Sequence, residues 1–185
     1  TVRGKRQRKC FEAYLRSLLE NEPTVCIDDS YLEKPCDRFN ALYFLQHCHR
    51  HFLREGITLR YICDWAMILK SADCFDSEFW NECDKNDLKP FAESMTRLAY
   101  VVCGVKAPWM NGDVMLQIQD KMLLDDCYRI ADNAIKYGNS LKAHVQMVKN
   151  MLGMRWKYKY FSQRSMEIEL ISSVWSNWVE KDPKI

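Results

Sequence analysis

The sequence predicts an all-α protein, a single bundle of about seven or eight helices. Three observations carry that expectation. Apolar residues recur at helical spacing, as in Phe11, Tyr14, Leu15, Leu18 and Leu19. Six glycines and five prolines are too few for a turn-dense β-sandwich of 185 residues. The breaks between periodic stretches are short, with no repeat and no long linker, so residues 1–185 read as one helical domain.

The elements follow in order. A first helix contains Phe11 to Leu19 and ends at about Asn21. The stretch EPTVCIDDSYLEKPCD reads as a loop, with a short extended piece at Thr24–Ile27. Asp37 can cap a second helix from about Arg38 to Glu55, and Gly56 ends it. Thr58 can cap a third, Leu59 to Ser71. Asp76 or Ser77 caps a short fourth through Phe79, Trp80 and Cys83. A fifth runs from about Leu88 to Cys103, with Pro90 tolerated in its first turn and Gly104 as its stop. After the loop VKAPWMNGD, a sixth spans about Val114 to Lys136 and a seventh Leu141 to Leu152. Arg155 to Phe161, RWKYKYF, alternates bases with aromatics. It reads as an extended connector with buried rings and solvated lysines, or as a surface that stacks on bases or lies on a membrane. An eighth helix from about Arg164 to Val179 carries Leu170, Ile171, Val174, Trp175 and Trp178 on one face.

Charge narrows the function classes. With 27 basic and 25 acidic residues the net charge is +2, which makes no strong case for a nucleic-acid partner. The longest clean apolar stretch, Ala99–Val105, is far short of the roughly 20 residues of a membrane span, so a membrane partner has no strong case either. The basic N-terminus runs into the amphipathic FEAYLRSLLE, which is not a signal peptide, and lacks an initiator Met, as in a piece of a longer chain. The nine cysteines are odd in number, form no CxxC and sit mostly in apolar helical runs. They read as free thiols in a reducing, cytoplasmic protein.

Two helices offer candidate site residues. The second has a core face of Ala41, Phe44, Leu45, Cys48 and Phe52. Beside it runs a stripe of Asn40, Tyr43, His47, Arg50, His51 and Arg54. Imidazole, phenol and guanidinium without Lys or Glu suit either a partly exposed edge or a face turned to an anionic ligand. On the third helix, Arg60 and Asp64 are the only charges between Leu59 and Leu69, one turn apart. A helix apolar nearly all round is expected to be buried, with these two paired at its junction with the second helix and His47 or His51 within hydrogen-bond reach. Asp64→Ala would then destabilise by roughly 3 to 5 kcal/mol. Alternatively Arg60 offers its planar fork to a phosphate or carboxylate and Asp64 orients it. The ligand-binding candidates are therefore His47, Arg50, His51, Arg60 and Asp64. No metal ligand is assigned: His47 and His51 are one turn apart, but Cys48 stands where an HExxH motif has Glu. No catalytic residue is assigned, since G-x-S-x-G, P-loop and G-x-G-x-x-G patterns are all absent.

The run from Phe39 to Trp65 contains Phe39, Asn40, His47, Arg50, His51, Glu55, Gly56, Leu59, Arg60, Asp64 and Trp65 in a recognisable order. It resembles the C-terminal, helical half of a family of uncharacterised bacterial nucleotidyltransferases. Ala134–Asn139 and the C-terminal aromatic helix resemble later segments more weakly, and the resemblance spans about residues 35 to 180. It implies an N-terminal nucleotidyltransferase-like domain of the same protein as partner, with Mg²⁺ and a nucleoside triphosphate as its cofactor and substrate. Such chemistry uses a Gly-Ser or Gly-Gly turn followed by Asp-x-Asp carboxylates that hold the metal. Neither pattern occurs here. The resemblance thus implies a helical companion that is not catalytic alone, needs no cofactor of its own and helps bind nucleotide or acceptor. The alternatives are a stand-alone all-α protein-interaction module and a metal-dependent hydrolase using the histidines. A start codon at Thr1 would favour the module, and an upstream Gly-Ser with Asp-x-Asp the companion.

Overall fold

The computed structural model describes residues 2–21, 25–27, 30–132, 153–162 and 165–167. The described residues form helices α1 (Val2–Asn21), α2 (Asp37–Arg54), α3 (Leu59–Ser71), α4 (Ser77–Lys85), α5 (Lys89–Cys103), α6 (Ile118–Asp132) and α7 (Arg155–Phe161). A two-stranded antiparallel hairpin, β1 (Val25–Ile27) and β2 (Ser30–Lys34), lies between α1 and α2. The fold is all-α, with this hairpin as its one departure among the described residues. The expected helix at Leu141–Leu152, the Ala134–Asn139 segment and nearly all of the expected helix from Arg164 lie outside the described residues.

Sequence chemistry sets the element ends. α1 starts well before its apolar stripe, because Lys, Arg and Gln at Lys5–Lys9 are good helix formers. Among its described side chains, Phe11, Leu15 and Leu18 are buried. The cap of α2 is Cys36, whose Sγ accepts from the Phe39 amide at 3.4 Å, and Asp37 is instead the first helical residue. There its charge suits the helix dipole. The amides of Glu55 and Gly56 both close on the His51 carbonyl, and Gly56 takes φ 92°, a turn that an L side chain would strain. Asp76 caps α4 through the Phe79 amide at 2.9 Å. Gly104, at φ 68°, ends α5 in the left-handed conformation.

The strand hairpin was expected only in its first limb, as the extended piece at Thr24–Ile27. The second limb, SYLEK, carries no clear alternation, and pairing with Val25–Ile27 decides its conformation. α6 starts at Ile118 rather than Val114. The Asp120 carboxylate accepts from the Gln117 amide at 2.8 Å and fixes the first turn there.

Arg155–Phe161 is a helix and not an extended connector. Helical spacing puts Lys157 and Phe161 on one side, and both are fully buried. Phe161 meets Phe52 edge-on at 5.2 Å, and Trp156 and Phe91 complete that aromatic cluster. The solvated-lysine expectation fails at Lys157. Its Nζ donates to the Phe52 carbonyl at 2.9 Å and sits 4.6 Å from the Phe52 ring centre.

α5 is the packing centre. It presents buried Phe91, Ala92, Met95, Leu98 and Ala99 to its neighbours. α3 packs its Ile62, Trp65, Ala66 and Leu69 inward, and the Trp65 indole donates to the Thr96 hydroxyl at 3.1 Å. The other side of α3 faces solvent through Arg60, Cys63, Asp64 and Met67. The expectation of a helix buried all round is therefore corrected. Cys63 and Met67 made that side look like core, yet both are exposed, Cys63 at the margin where α5 ends.

Candidate functional site

Gly56 folds α3 back along α2, so Asn40 and Phe44 near the start of α2 lie across from Ile68 and Ala72 near the end of α3. Between them is an open groove of about 410 Å³, lined by Asp37, Asn40, Tyr43, Phe44 and His47 of α2 with Ile68, Ser71 and Ala72 of α3. Phe44, which lines it, stacks on the buried Trp65 at 6.0 Å with planes 9° apart.

One wall is a ladder of rings at four-residue spacing. Phe39 and Tyr43 stack at 5.6 Å with planes 7° apart, and Tyr43 and His47 at 6.2 Å and 19°. His51 meets His47 edge-on at 4.5 Å. Four-residue spacing brings side chains together on one helix face, and aromatic or imidazole rings there make a continuous row. Burial lowers the His47 pKa, and the nearby His51 and Arg50 lower it further. At neutral pH His47 is thus an uncharged imidazole with one donor and one acceptor. The Asn40 amide donates to the Pro35 carbonyl at 2.9 Å, which holds its oxygen in a set direction.

The expected site residues divide. His47 lines the groove, and His51 ends the ladder, half-buried with Nδ1 3.3 Å from Glu55 Oε1. Arg50 is on the other flank of α2. It lines a smaller cavity of about 120 Å³ with Gln7, Arg8, His49 and Tyr158. Arg60 and Asp64 stand on the outer side of α3, paired at 3.7 Å but 84% and 48% exposed. Their expected burial is overturned, and no hydrogen bond from either histidine to them occurs among the described residues. Asp64 still lies close to Cys48, whose thiol is pushed up to about 12 by burial first and by that carboxylate second. His49 points into the core, and its Nε2–H donates to the Phe161 carbonyl at 2.7 Å.

The groove residues of α3 were missed. Ile68 and Ser71 follow Asp64 at four and seven residues, so they continue the stripe that Arg60 and Asp64 begin. Following that stripe toward the C-terminus would have found them.

A family model described as an uncharacterised nucleotidyltransferase matches residues 4–104, more than half of the chain. The chain belongs to the uncharacterised nucleotidyltransferase family. The match runs from α1 to the end of α5 and takes in the whole groove. No curated protein and no solved structure matches the chain.

Nucleotidyltransferase chemistry of the kind set out above needs alternating carboxylates free to take a divalent metal. Asp76 and Glu78 alternate in sequence, but both are already held. Arg38 bonds Asp76 Oδ2 at 2.7 Å and Glu78 Oε2 at 2.6 Å, Asp76 caps α4, and the Tyr14 hydroxyl donates to Glu78. Among the described residues no three His, Cys, Asp or Glu side chains gather closely enough to hold a metal ion. The donor set of the described residues does not fit a catalytic metal pair.

Proposed function

We propose that this chain is the helical, C-terminal, non-catalytic part of a nucleotidyltransferase-like protein, and that its α2–α3 groove receives the nucleotide or its acceptor. The ring ladder of Phe39, Tyr43, His47 and His51 beside an open groove is the observation that carries this reading. A planar base in the groove can pack against the exposed edge of Tyr43, which is half-exposed although its faces meet Phe39 and His47. Neutral His47, the Asn40 side chain and the Ser71 hydroxyl supply polar contacts around it. Arg60, 84% exposed on the outer side of α3 and paired there with Asp64, keeps its outward guanidinium edge in water, where an anionic group can meet it. An N-terminal nucleotidyltransferase-like domain of the same protein would hold Mg²⁺ and the triphosphate, since the 185 residues here contain no Asp-x-Asp. We place this activity in the cytoplasm. The cysteines whose side chains are described are free thiols, and no described helix is long and apolar enough to cross a membrane.

The test titrates each of the four ribonucleoside triphosphates, with Mg²⁺, into the chain and follows the His47 and Tyr43 ring protons by NMR. Saturable shifts are expected for at least one nucleotide. Tyr43→Ala and His47→Ala should each weaken that binding about tenfold. Unchanged binding in both variants, or no shift with any nucleotide, removes the groove from the reading. Robust nucleotidyl transfer by the chain itself overturns the non-catalytic role.

A further inference from the structure

Cys63, on the outer side of α3, and Cys103, the last residue of α5, are both exposed, and their sulfurs are 3.7 Å apart. They are 40 residues apart in sequence and meet because α3 packs along α5. We propose that Cys63 and Cys103 form a reversible dithiol–disulfide site that takes hydroperoxides as oxidant, with Cys63 as the attacking sulfur and Cys103 as the resolving one.

The two thiols are within S–H···S reach, and either can donate to the other. Burial raises the Cys103 pKa first and this bond second, which keeps Cys103 protonated while Cys63 reacts. The Cys63 thiolate attacks one peroxide oxygen, the O–O bond breaks, and the departing oxygen takes a proton and leaves as water or an alcohol. Cys63 is then a sulfenic acid. Cys103 attacks that sulfur, the S–O bond breaks, and hydroxide leaves with the Cys103 proton as water. Two thiols have lost two electrons and two protons, and the peroxide has gained them. A dithiol reductant reverses the product through a mixed disulfide.

Geometry and surroundings make the site selective. Gly104 at φ 68° ends α5 directly after Cys103, so the sulfur sits on a helix end that can yield as the sulfurs close to bonding distance. Cys48, Cys74 and Cys127 are buried with thiols pushed up to about 12, and Cys83 is raised further by burial. These remain thiols under mild oxidation. Cys36 is occupied as the cap of α2.

The test treats the fully reduced chain with hydrogen peroxide and maps it by mass spectrometry under non-reducing conditions. A Cys63–Cys103 linked peptide, lighter by two hydrogens and restored by dithiothreitol, is expected as the main product. The oxidised chain should also melt at higher temperature, because the link ties α3 to α5. Cys103→Ser should leave a sulfenic acid at Cys63 that dimedone traps, and Cys63→Ser should give neither link nor melting shift. A different main link, an intermolecular dimer, or oxidation at Cys10 with Cys63 and Cys103 still thiols overturns the proposal. Dimedone labelling of Cys103 in the Cys63→Ser variant, with none at Cys63 in Cys103→Ser, overturns the assigned order.

Discussion

Lys157 of α7 reaches Asp126 of α6, Nζ to Oδ2 at 2.5 Å, with the lysine fully buried and the aspartate nearly so. Burial lowers the Lys157 pKa despite the carboxylate beside it, so the pair sits where desolvation outweighs attraction. Asp126 has a second cation, Arg129, at 2.6 Å. Asp126→Ala strands the lysine and should destabilise by roughly 3 to 5 kcal/mol. Asp126→Leu combined with Lys157→Met should cost clearly less than Asp126→Ala alone. Urea unfolding of the two variants decides it. A double variant as damaged as the single one would mean that the pair contributes more than mutual compensation.

Lys157 also shows where sequence reading stops. Helical spacing in α1 to α5 was legible, because apolar residues at three and four made the core face plain, and Gly56 and Gly104 marked the stops. RWKYKYF fits a period of two as well as a helix, and only the Asp126 carboxylate on another element shows which lysine goes inside. Arg60 and Asp64 failed for the opposite reason. The composition of α3 is apolar enough for a buried helix, but burial depends on which neighbours exist, and Arg60, Asp64 and Met67 are left exposed by the described ones. On α2 the stripe was found but not its division, since Arg50 and His47 are one turn apart yet open onto different cavities.

Exposure of the Arg60–Asp64 pair fixes its energetic weight. An ion pair in water at 3.7 Å gains little and is screened by salt. Asp64→Ala should therefore change unfolding free energy by less than about 0.5 kcal/mol, not the several expected of a buried pair. Chemical denaturation at low and high salt checks this. A loss above about 2 kcal/mol would mean that Asp64 supports α2 through its proximity to Cys48.

Asp120 is a stronger structural acid. It is fully buried and accepts from the Gln117 amide and from Arg97 Nε at 2.7 Å and Nη2 at 3.0 Å, with the Ser94 hydroxyl also donating to it. It both starts α6 and ties that helix to α5. Asp120→Ala leaves Arg97 without its carboxylate and should cost about 3 to 5 kcal/mol, with helical signal lost from α6 first. Asp120→Asn keeps some of the acceptors and should cost less. Thermal unfolding by circular dichroism orders the two.

The buried thiols set the alkaline limit of the fold. Burial disfavours the thiolates of Cys48, Cys74 and Cys127 and pushes their pKa up to about 12 from 9.0 for a free thiol, and Cys83 is pushed in the same direction. As pH rises past 9 the unfolded chain loses thiol protons that the folded chain keeps. The folded state then binds more protons, so stability is fully present below pH 9 and falls through the window up to about 12. Each fully titrating thiol removes roughly 1.4 kcal/mol per pH unit. Lys157 works the other way, since its folded pKa lies below the ordinary 10.5, but it is one group against four. Tyr14, pushed up to about 12 mainly by burial, adds its own loss above pH 10. Urea midpoints measured under a phosphine reductant should therefore be flat from pH 7 to about 8.5 and fall steeply beyond pH 9. Cys74→Ala should make the limb between about pH 9 and 10 shallower, and a limb of unchanged slope would mean that Cys74 ionises without unfolding the chain.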